Sequence, residues 1–362
     1  MLGCRWEYGC KNGIMSNHPN GTRILKVSPK RPSTKAILAA ANVIQHGGLV
    51  AFPTETVYGL GADALSPKAV RKIFEAKGRP ADDPLIVHIS DAAQLQELAK
   101  DIPKHALKLM KEFWPGPLTL IFEKSDQVPD IVTAGLNSVA IRMPSHKIAN
   151  ALIARADTPI AAPSANLFGS PSPTTAQHVI SDLHDKIDMI IDGGEANIGV
   201  ESTVLDVRKS PPTLLRPGGL PIEALRSCLG TIDVHPSVYG DRLSAADVAI
   251  SPGMKYRHYA PRSPVYLIED STDMIRGKIQ ETVDRLRKDG KRVAVVVPVD
   301  FSYSADEVMV VGRDPTHIAR NLFAILRQLD RKVDAIVIEG IGAGGLGLAI
   351  MNRLRRAATV DV

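Results

Sequence analysis

Apolar positions along the chain keep two alternating rhythms. One has the spacing of a helix with a single buried face; the other is the short unbroken run of a strand buried on both sides. "STKAILAAANVIQHGG" opens on Ser33 and Thr34, holds helical spacing and stops at Gly47. "LVAFPTETVYGLGADAL" begins as a buried strand and breaks into a threonine-rich turn. Ser66 as N-cap and Pro67 at the first helical position start "SPKAVRKIFEAKG", which ends at Gly78. Further helices are expected over residues 91–113, 146–156 and 174–184. Strands are expected at "LIVHI", "PLTLIFE", "SVAIRMP", "PIAAPSA", "MIIDGG", "STVLDVR" and "TLLRPGG".

The pattern predicts an α/β protein whose first domain, residues 30–230, is built on a large twisted mixed sheet. Residues 1–29 mix charges, glycines and polar groups without a period and read as a tail. Residues 231–263 are rich in turn formers and read as a linker, long for a connection without structure of its own. Over 264–362 the strands "VYLIE", "RVAVVVP" and "VDAIVIEG" alternate with helices at 272–289, 315–329 and up to residue 357. That alternation predicts a smaller, parallel, Rossmann-like domain.

Composition narrows the classes. The 362 residues suffice for two cores, and 44% apolar with 23% charged residues is ordinary for a globular protein. No apolar run nears the roughly 20 residues a membrane-spanning helix needs. The first residues lack the apolar centre of a signal peptide, so a cytoplasmic protein without a membrane partner is expected. Cys4, Cys10 and Cys228 are too few and too scattered for a disulfide framework or a four-ligand zinc site, and no protein metal site is expected. A net charge of +5 admits an anionic substrate. Aromatics at 4% and the lack of a long basic block argue against stable nucleic-acid binding. A monomer is expected.

"GIGAGGLG" at 340–347 follows a strand and opens a helix, as a dinucleotide fingerprint does. That fingerprint also calls for a following strand with an acidic residue about 20 positions on. Only 15 residues remain, and they read as helix. The glycines are therefore assigned to a tight strand-to-helix turn.

Candidate chemistry collects in the first domain. Hydroxyls, glycines and isolated cations crowd the strand ends in "PTETVYGLG", "KGRP", "AIRMP" with Arg142, "APSANLFGSPSP" with Ser164, "GVESTVLDV" and "LLRPGG" with Arg216. Singly, each has a plain explanation as a turn cap or a surface ion pair. Together they suit a pocket for phosphate and a small polar molecule. No P-loop, H-E-x-x-H, nucleophile elbow or Cys/His cluster is present. The chemistry is expected to rest on positioning and on cations.

These motifs, with "FWPGPLTLIF", "VAIRMP" and "VESTVLDV", resemble the YrdC-like family of threonylcarbamoyl-AMP synthases. "SPGMKYRHYAP" and the C-terminal domain resemble its longer, two-domain branch, from about residue 30 onward. The resemblance implies that L-threonine, bicarbonate and ATP give threonylcarbamoyl-AMP and pyrophosphate, and that the product passes to a tRNA threonylcarbamoyl transferase. It implies Lys77 and Arg79 as the catalytic cations and Thr56, His88, Arg142 and Ser202 around threonine; both cations are expected in solvent-reachable space. It implies Arg79, Asp83, Ser138, Ser164, Asn166, Ser172, Arg216 and Tyr259 around ATP, with Mg2+ held mainly by the triphosphate and water. Tyr256, His258 and Tyr259 are the expected lid. Two other readings are an RNA-binding module without catalysis and a hydrogenase-maturing carbamoyltransferase. The first leaves Arg142, Ser202 and His88 without a task; the second needs cysteine zinc sites that three scattered cysteines cannot build.

Overall fold

The computed structural model describes residues 21–239, 251, 256, 258–270 and 274–361. Most of residues 1–29 and, within "SPGMKYRHYAP", residues 252–255 and 257 lie outside the described residues. The large sheet has eleven strands. From one edge they run Arg23–Lys26, Met189–Asp192, Val50–Pro53, Tyr58–Asp63, Ile160–Ala161 and Ile86–His88, then Ser138–Arg142, Leu118–Glu123, Thr203–Asp206, Thr213–Arg216 and Asp233–Val234. It contains both parallel and antiparallel pairs, as the sequence predicts for a mixed sheet.

Three expectations need correction. Arg23–Lys26, inside the span read as tail, pairs in parallel with Met189–Asp192. Leu25 buries its side chain in the cluster under the helices Thr34–Gln45 and Lys147–Ala156. Asp233–Val234, inside the span read as linker, extends the sheet beside Thr213–Leu214. The helix expected over 91–113 is broken: a short turn ends at Leu98, and Lys104–Phe113 starts afresh after Pro103, whose missing N–H and fixed φ suit a helix start.

The helix Pro67–Lys77 positions the first cation. Ser66 accepts a hydrogen bond from the Ala69 amide, and Gly78 ends the helix at a left-handed φ of 63°. Its buried residues are Ala69, Val70, Ile73, Phe74 and Lys77. That spacing is one helical stripe, and Lys77 falls on it.

The second domain is a five-stranded sheet in the order Glu307–Val310, Val293–Val297, Ala335–Glu339, Val265–Ile268 and Val360–Asp361, with every described pair parallel. Its helix Ile275–Lys288 packs on one face, while Pro315–Leu329 and Gly347–Ala357 pack on the other. The two domains share a core, because Val57 and Val200 of the first pack into the cluster formed by the latter helices. Gly199 allows this approach: a Cβ there would lie 2.3 Å from the Ala319 carbonyl oxygen. Arg327 adds an ion pair to Asp182 at 2.7 Å across the same boundary.

Candidate active site

The parallel strands Ile86–His88 and Ser138–Arg142 end side by side and deliver His88 and Arg142 to one concavity. Thr56 comes from the turn after Val50–Pro53, Ser202 from the approach to Thr203–Asp206, and Arg216 from the end of Thr213–Arg216. The cavity holds about 70 Å3. Behind it Ile86, Ile121, Ala140, Val204 and Leu215 make an apolar floor that lowers the local dielectric.

Arg142 is locked on three sides. Nη1 donates to Thr56 Oγ1 at 2.9 Å, Nε donates to the Gly116 carbonyl at 3.2 Å, and Nη2 sits 2.7 Å from Glu55 Oε1, off the hydrogen-bond direction. Burial would raise the Glu55 carboxyl, but Arg142 outweighs it and the group lies below its usual range. His88 is held neutral: burial, then Arg142, pushes it down to about 3. Its Nδ1 lies 3.2 Å from the Ile86 carbonyl, which can only accept. The Ile160 carbonyl also acts on the ring; with the proton on Nδ1, Nε2 keeps its lone pair.

On the opposite wall Arg216 donates from Nε and Nη2 to the Ser202 carbonyl, at 3.1 and 2.9 Å, and from Nη2 to Ser202 Oγ at 3.1 Å. Ser202 Oγ also meets Thr119 Oγ1 at 2.7 Å. Arg79 reaches the cavity while paired with Asp83 at 2.9 Å. Ser164, His258 and Tyr259 also line the cavity.

Lys77, Asn166, Ser172, Ser138 and Tyr256, also expected at the site, lie outside the lining. Lys77 is 2% exposed and Arg79 9%, so neither stands in open solvent. Lys77 Nζ donates to the Ser164 and Asn166 carbonyls at 2.5 and 2.6 Å, so it braces the turn that carries Ser164. Burial, then Arg79, lowers its pKa well below the usual lysine value. Asn166 turns its amide to the Leu167 and Ser170 carbonyls, and Ser172 donates to Glu201 Oε1 at 2.5 Å. Ser138 sits at the far end of its strand, opposite Glu123. Tyr256 binds Asp82 at 2.6 Å and sets its ring against Phe168. His258 Nε2 is 3.7 Å from Asp83, yet burial, then Arg79, keeps the imidazole well below its usual pKa. Tyr259 takes φ 64°, a strained conformation for a bulky residue, and stacks on Phe323 of the second domain.

Two family models match this chain. One, described as telomere recombination, matches residues 42–218; the other, described as the C-terminal domain of threonylcarbamoyl-AMP synthase, matches 220–359. A threonylcarbamoyl-AMP synthase of Pyrococcus abyssi is 56% identical over 323 residues, 89% of this chain and 94% of that one. This chain belongs to the threonylcarbamoyl-AMP synthase family. The Bacillus subtilis synthase is 49% identical over 89% of this chain and 92% of its own. A crystal structure of P. abyssi Sua5 with L-threonine matches at TM-score 0.88 and 54% identity, over 92% of this chain and 97% of that one.

Within this synthase fold, Glu201 and Arg353 were missed from the sequence. Glu201 lines the cavity, and the fully buried Arg353, from the second domain, donates to it at 2.7 Å. Arg353 also lies 5.3 Å from the Tyr259 ring centre. Nothing local marks Arg353, since "NRLRRA" resembles any basic helix end. Arg353→Met strands a buried carboxylate and is expected to cost about 3–5 kcal/mol. Urea unfolding checks this, and the double variant Glu201→Gln/Arg353→Met should regain much of the loss.

The buried titratable groups set a pH dependence. His88, down to about 3, His178, down to about 4, and the lowered His258 all stay neutral where the unfolded chain takes up protons. Stability is therefore lost as pH falls below the ordinary histidine value of 6.5. Glu55 and Glu201 lie below 4.5, so their contribution is present above that value and lost beneath it. Urea midpoints should decline from about pH 6.5 downward. A flat profile to pH 4.5 would contradict the assigned neutral histidines.

Proposed function

We propose that this protein makes L-threonylcarbamoyl-AMP from L-threonine, bicarbonate and ATP, with release of pyrophosphate. The observation that carries the reading is one small cavity lined by Arg79, Arg142, Arg216, His88, Thr56, Ser164 and Ser202 above an apolar floor. The planar fork of Arg142 suits the threonine carboxylate, and Thr56 and Ser202 supply polar contacts beside it. His88 Nε2 accepts a hydrogen bond from the substrate hydroxyl. The amine takes up carbon dioxide from bicarbonate, losing a proton, and the new carbamate oxygen attacks the α-phosphorus of ATP.

Carboxylate, carbamate and triphosphate bring several negative charges together, and Arg79 and Arg216 offset them where water is scarce. Lys77 acts by holding the Ser164 turn in place. Asp83 orients Arg79, Asn166 and Ser172 support the walls, and Ser138 lies along the same sheet face for the far end of the nucleotide. Mg2+ would arrive with ATP and keep phosphate and water ligands, because the lining's one carboxylate, Glu201, is held by Arg353 and Ser172. The labile product suits immediate transfer to tRNA by a partner enzyme in the cytoplasm. Among the described residues no helix is long and apolar enough to cross a membrane.

A cavity of about 70 Å3 is too small for both substrates, since ligand clefts run to hundreds of Å3. His258 and Tyr259 must withdraw to admit them and can return to exclude water, which is the lid role. Trypsin cleavage at Lys255 and Arg257 is expected to slow when ATP and threonine are present together. Replacing His258 and Tyr259 by alanine should depress activity; full activity with ligand-insensitive cleavage would leave the segment a tether. The reading itself is tested by pyrophosphate release, expected only with threonine, bicarbonate and ATP together.

A further inference from the structure

The second domain has a cavity of its own, of about 540 Å3, far from the substrate site in the chain and larger than it. It lies at the carboxyl ends of three parallel strands, Val265–Ile268, Val293–Val297 and Ala335–Glu339. The first and third of these are neighbours, and the chain leaves them toward opposite faces. After Val265–Ile268 it enters the helix Ile275–Lys288 on one face; after Ala335–Glu339 it enters Gly347–Ala357 on the other. Diverging connections between adjacent parallel strands open a crevice, and open α/β sheets bind ligands there.

The tight-turn explanation accounts for only part of "GIGAGGLG". Gly347 is required because a Cβ would lie 1.9 Å from the Gly342 carbonyl oxygen, and Gly345 because its φ is +57°. Gly340 lets Glu269 pack close, with its Cγ 3.1 Å from the site of a Cβ. Gly342 and Gly344 have no such reason: a Cβ on either meets nothing within 4 Å, and neither has a left-handed φ. What they provide is bare backbone, and Gly342 lines the cavity. The acidic residue that the sequence lacks downstream is present in space, since Glu269 ends the neighbouring strand next to Gly340.

Charge selects the ligand class. Glu269 is paired with Arg355 and Asp270 with Lys278, which leaves Glu339, Arg276 and Arg313 to face the cavity. Among the described residues none of these three side chains has a hydrogen bond or close ion pair, though both guanidiniums act on the Glu339 carboxyl through space; Arg276 lies over the Phe301 ring, 4.7 Å from its centre. Two rim guanidiniums beside exposed glycine backbone suit a phosphate. A carboxylate within the same cavity suits ribose hydroxyls, which donate to it. A free amino acid would leave most of the volume empty, whereas a nucleotide fills a cleft of this size.

We propose that this crevice is a second ligand site, which binds a nucleoside 5′-phosphate through the 340–347 loop, Arg276 and Arg313, with Glu339 on the sugar. The site is assigned binding alone. The helix Gly347–Ala357 joins this crevice to Arg353, so both sites share one rigid element.

The test is hydrogen–deuterium exchange on the full chain with AMP, GMP, CMP and UMP in turn. At least one should protect the 340–347 amides, with apparent affinity falling tenfold or more in Arg276→Glu/Arg313→Glu. That variant lies outside the first-domain pocket and should keep synthase activity measured without added mononucleotide. Protection by none of the four overturns the proposal. So does protection that survives the double substitution at unchanged apparent affinity. Equal protection by inorganic phosphate at the same concentration would reduce the crevice to a simple anion site and overturn the nucleotide assignment.

Discussion

Arg79→Ala is expected to lower turnover of the folded enzyme by about a hundredfold or more, the usual loss when one charged donor to a transition state is removed. The same substitution takes from Asp83, which is 0% exposed, its ion pair with Arg79 at 2.9 Å. It should therefore also cost about 3–5 kcal/mol of stability. The two losses separate in a companion variant. Asp83→Asn added to Arg79→Ala removes the buried charge, so the melting temperature should recover while turnover stays low. Lys77→Ala behaves differently, because its ammonium binds two carbonyls and does not line the cavity. It should destabilise by about 1–3 kcal/mol through those unpaired acceptors and disturb ATP binding through the Ser164 turn. Recovery of turnover along with stability in Arg79→Ala/Asp83→Asn would remove Arg79 from the chemistry.

The second large effect is in substrate choice. With Nδ1 at the Ile86 carbonyl, the proposed function makes His88 Nε2 the acceptor for a bound threonine hydroxyl. Valine has nearly the same shape and leaves that acceptor buried and unpaired. Discrimination against it in kcat/KM should approach about 10^4, as in sites built around a substrate hydroxyl. Serine keeps the hydroxyl and loses one methyl, so its penalty should be only about 10–200-fold. His88 near neutral pH does not titrate, because its pKa sits at about 3. The preference should accordingly hold steady from pH 6 to 8 within about twofold. Comparable kcat/KM for valine and threonine would show that the imidazole does not read the hydroxyl.

Much of this was legible in the chain. Short apolar runs ending in hydroxyls and lone arginines located the strands Ile86–His88, Ser138–Arg142 and Thr213–Arg216 and the residues they deliver. Local period was enough there because each side chain sits at a strand end. It was also enough, unused, for Lys77: the stripe 69, 70, 73, 74 and 77 puts that lysine on the buried face. Charge suggested solvent, and the helical period was the better guide. Arg23–Lys26 and Asp233–Val234 escaped because four- and two-residue edge strands carry too little pattern, and only pairing with Met189–Asp192 and Thr213–Leu214 defines them. Arg353 was invisible for another reason. Its partner Glu201 lies 152 positions away in the sequence, and such a contact leaves no local trace.

The most direct measurement uses carbon-labelled bicarbonate with threonine, ATP and Mg2+, followed by rapid chromatography and mass spectrometry of the adenylate formed. The label should appear in a labile product that contains threonine and AMP in equal amounts, and pyrophosphate should accumulate in step with it. Each of the three substrates should be indispensable. An adenylate without the label, or pyrophosphate released at the same rate without threonine, would contradict the assignment of this pocket to threonylcarbamoyl-AMP synthesis.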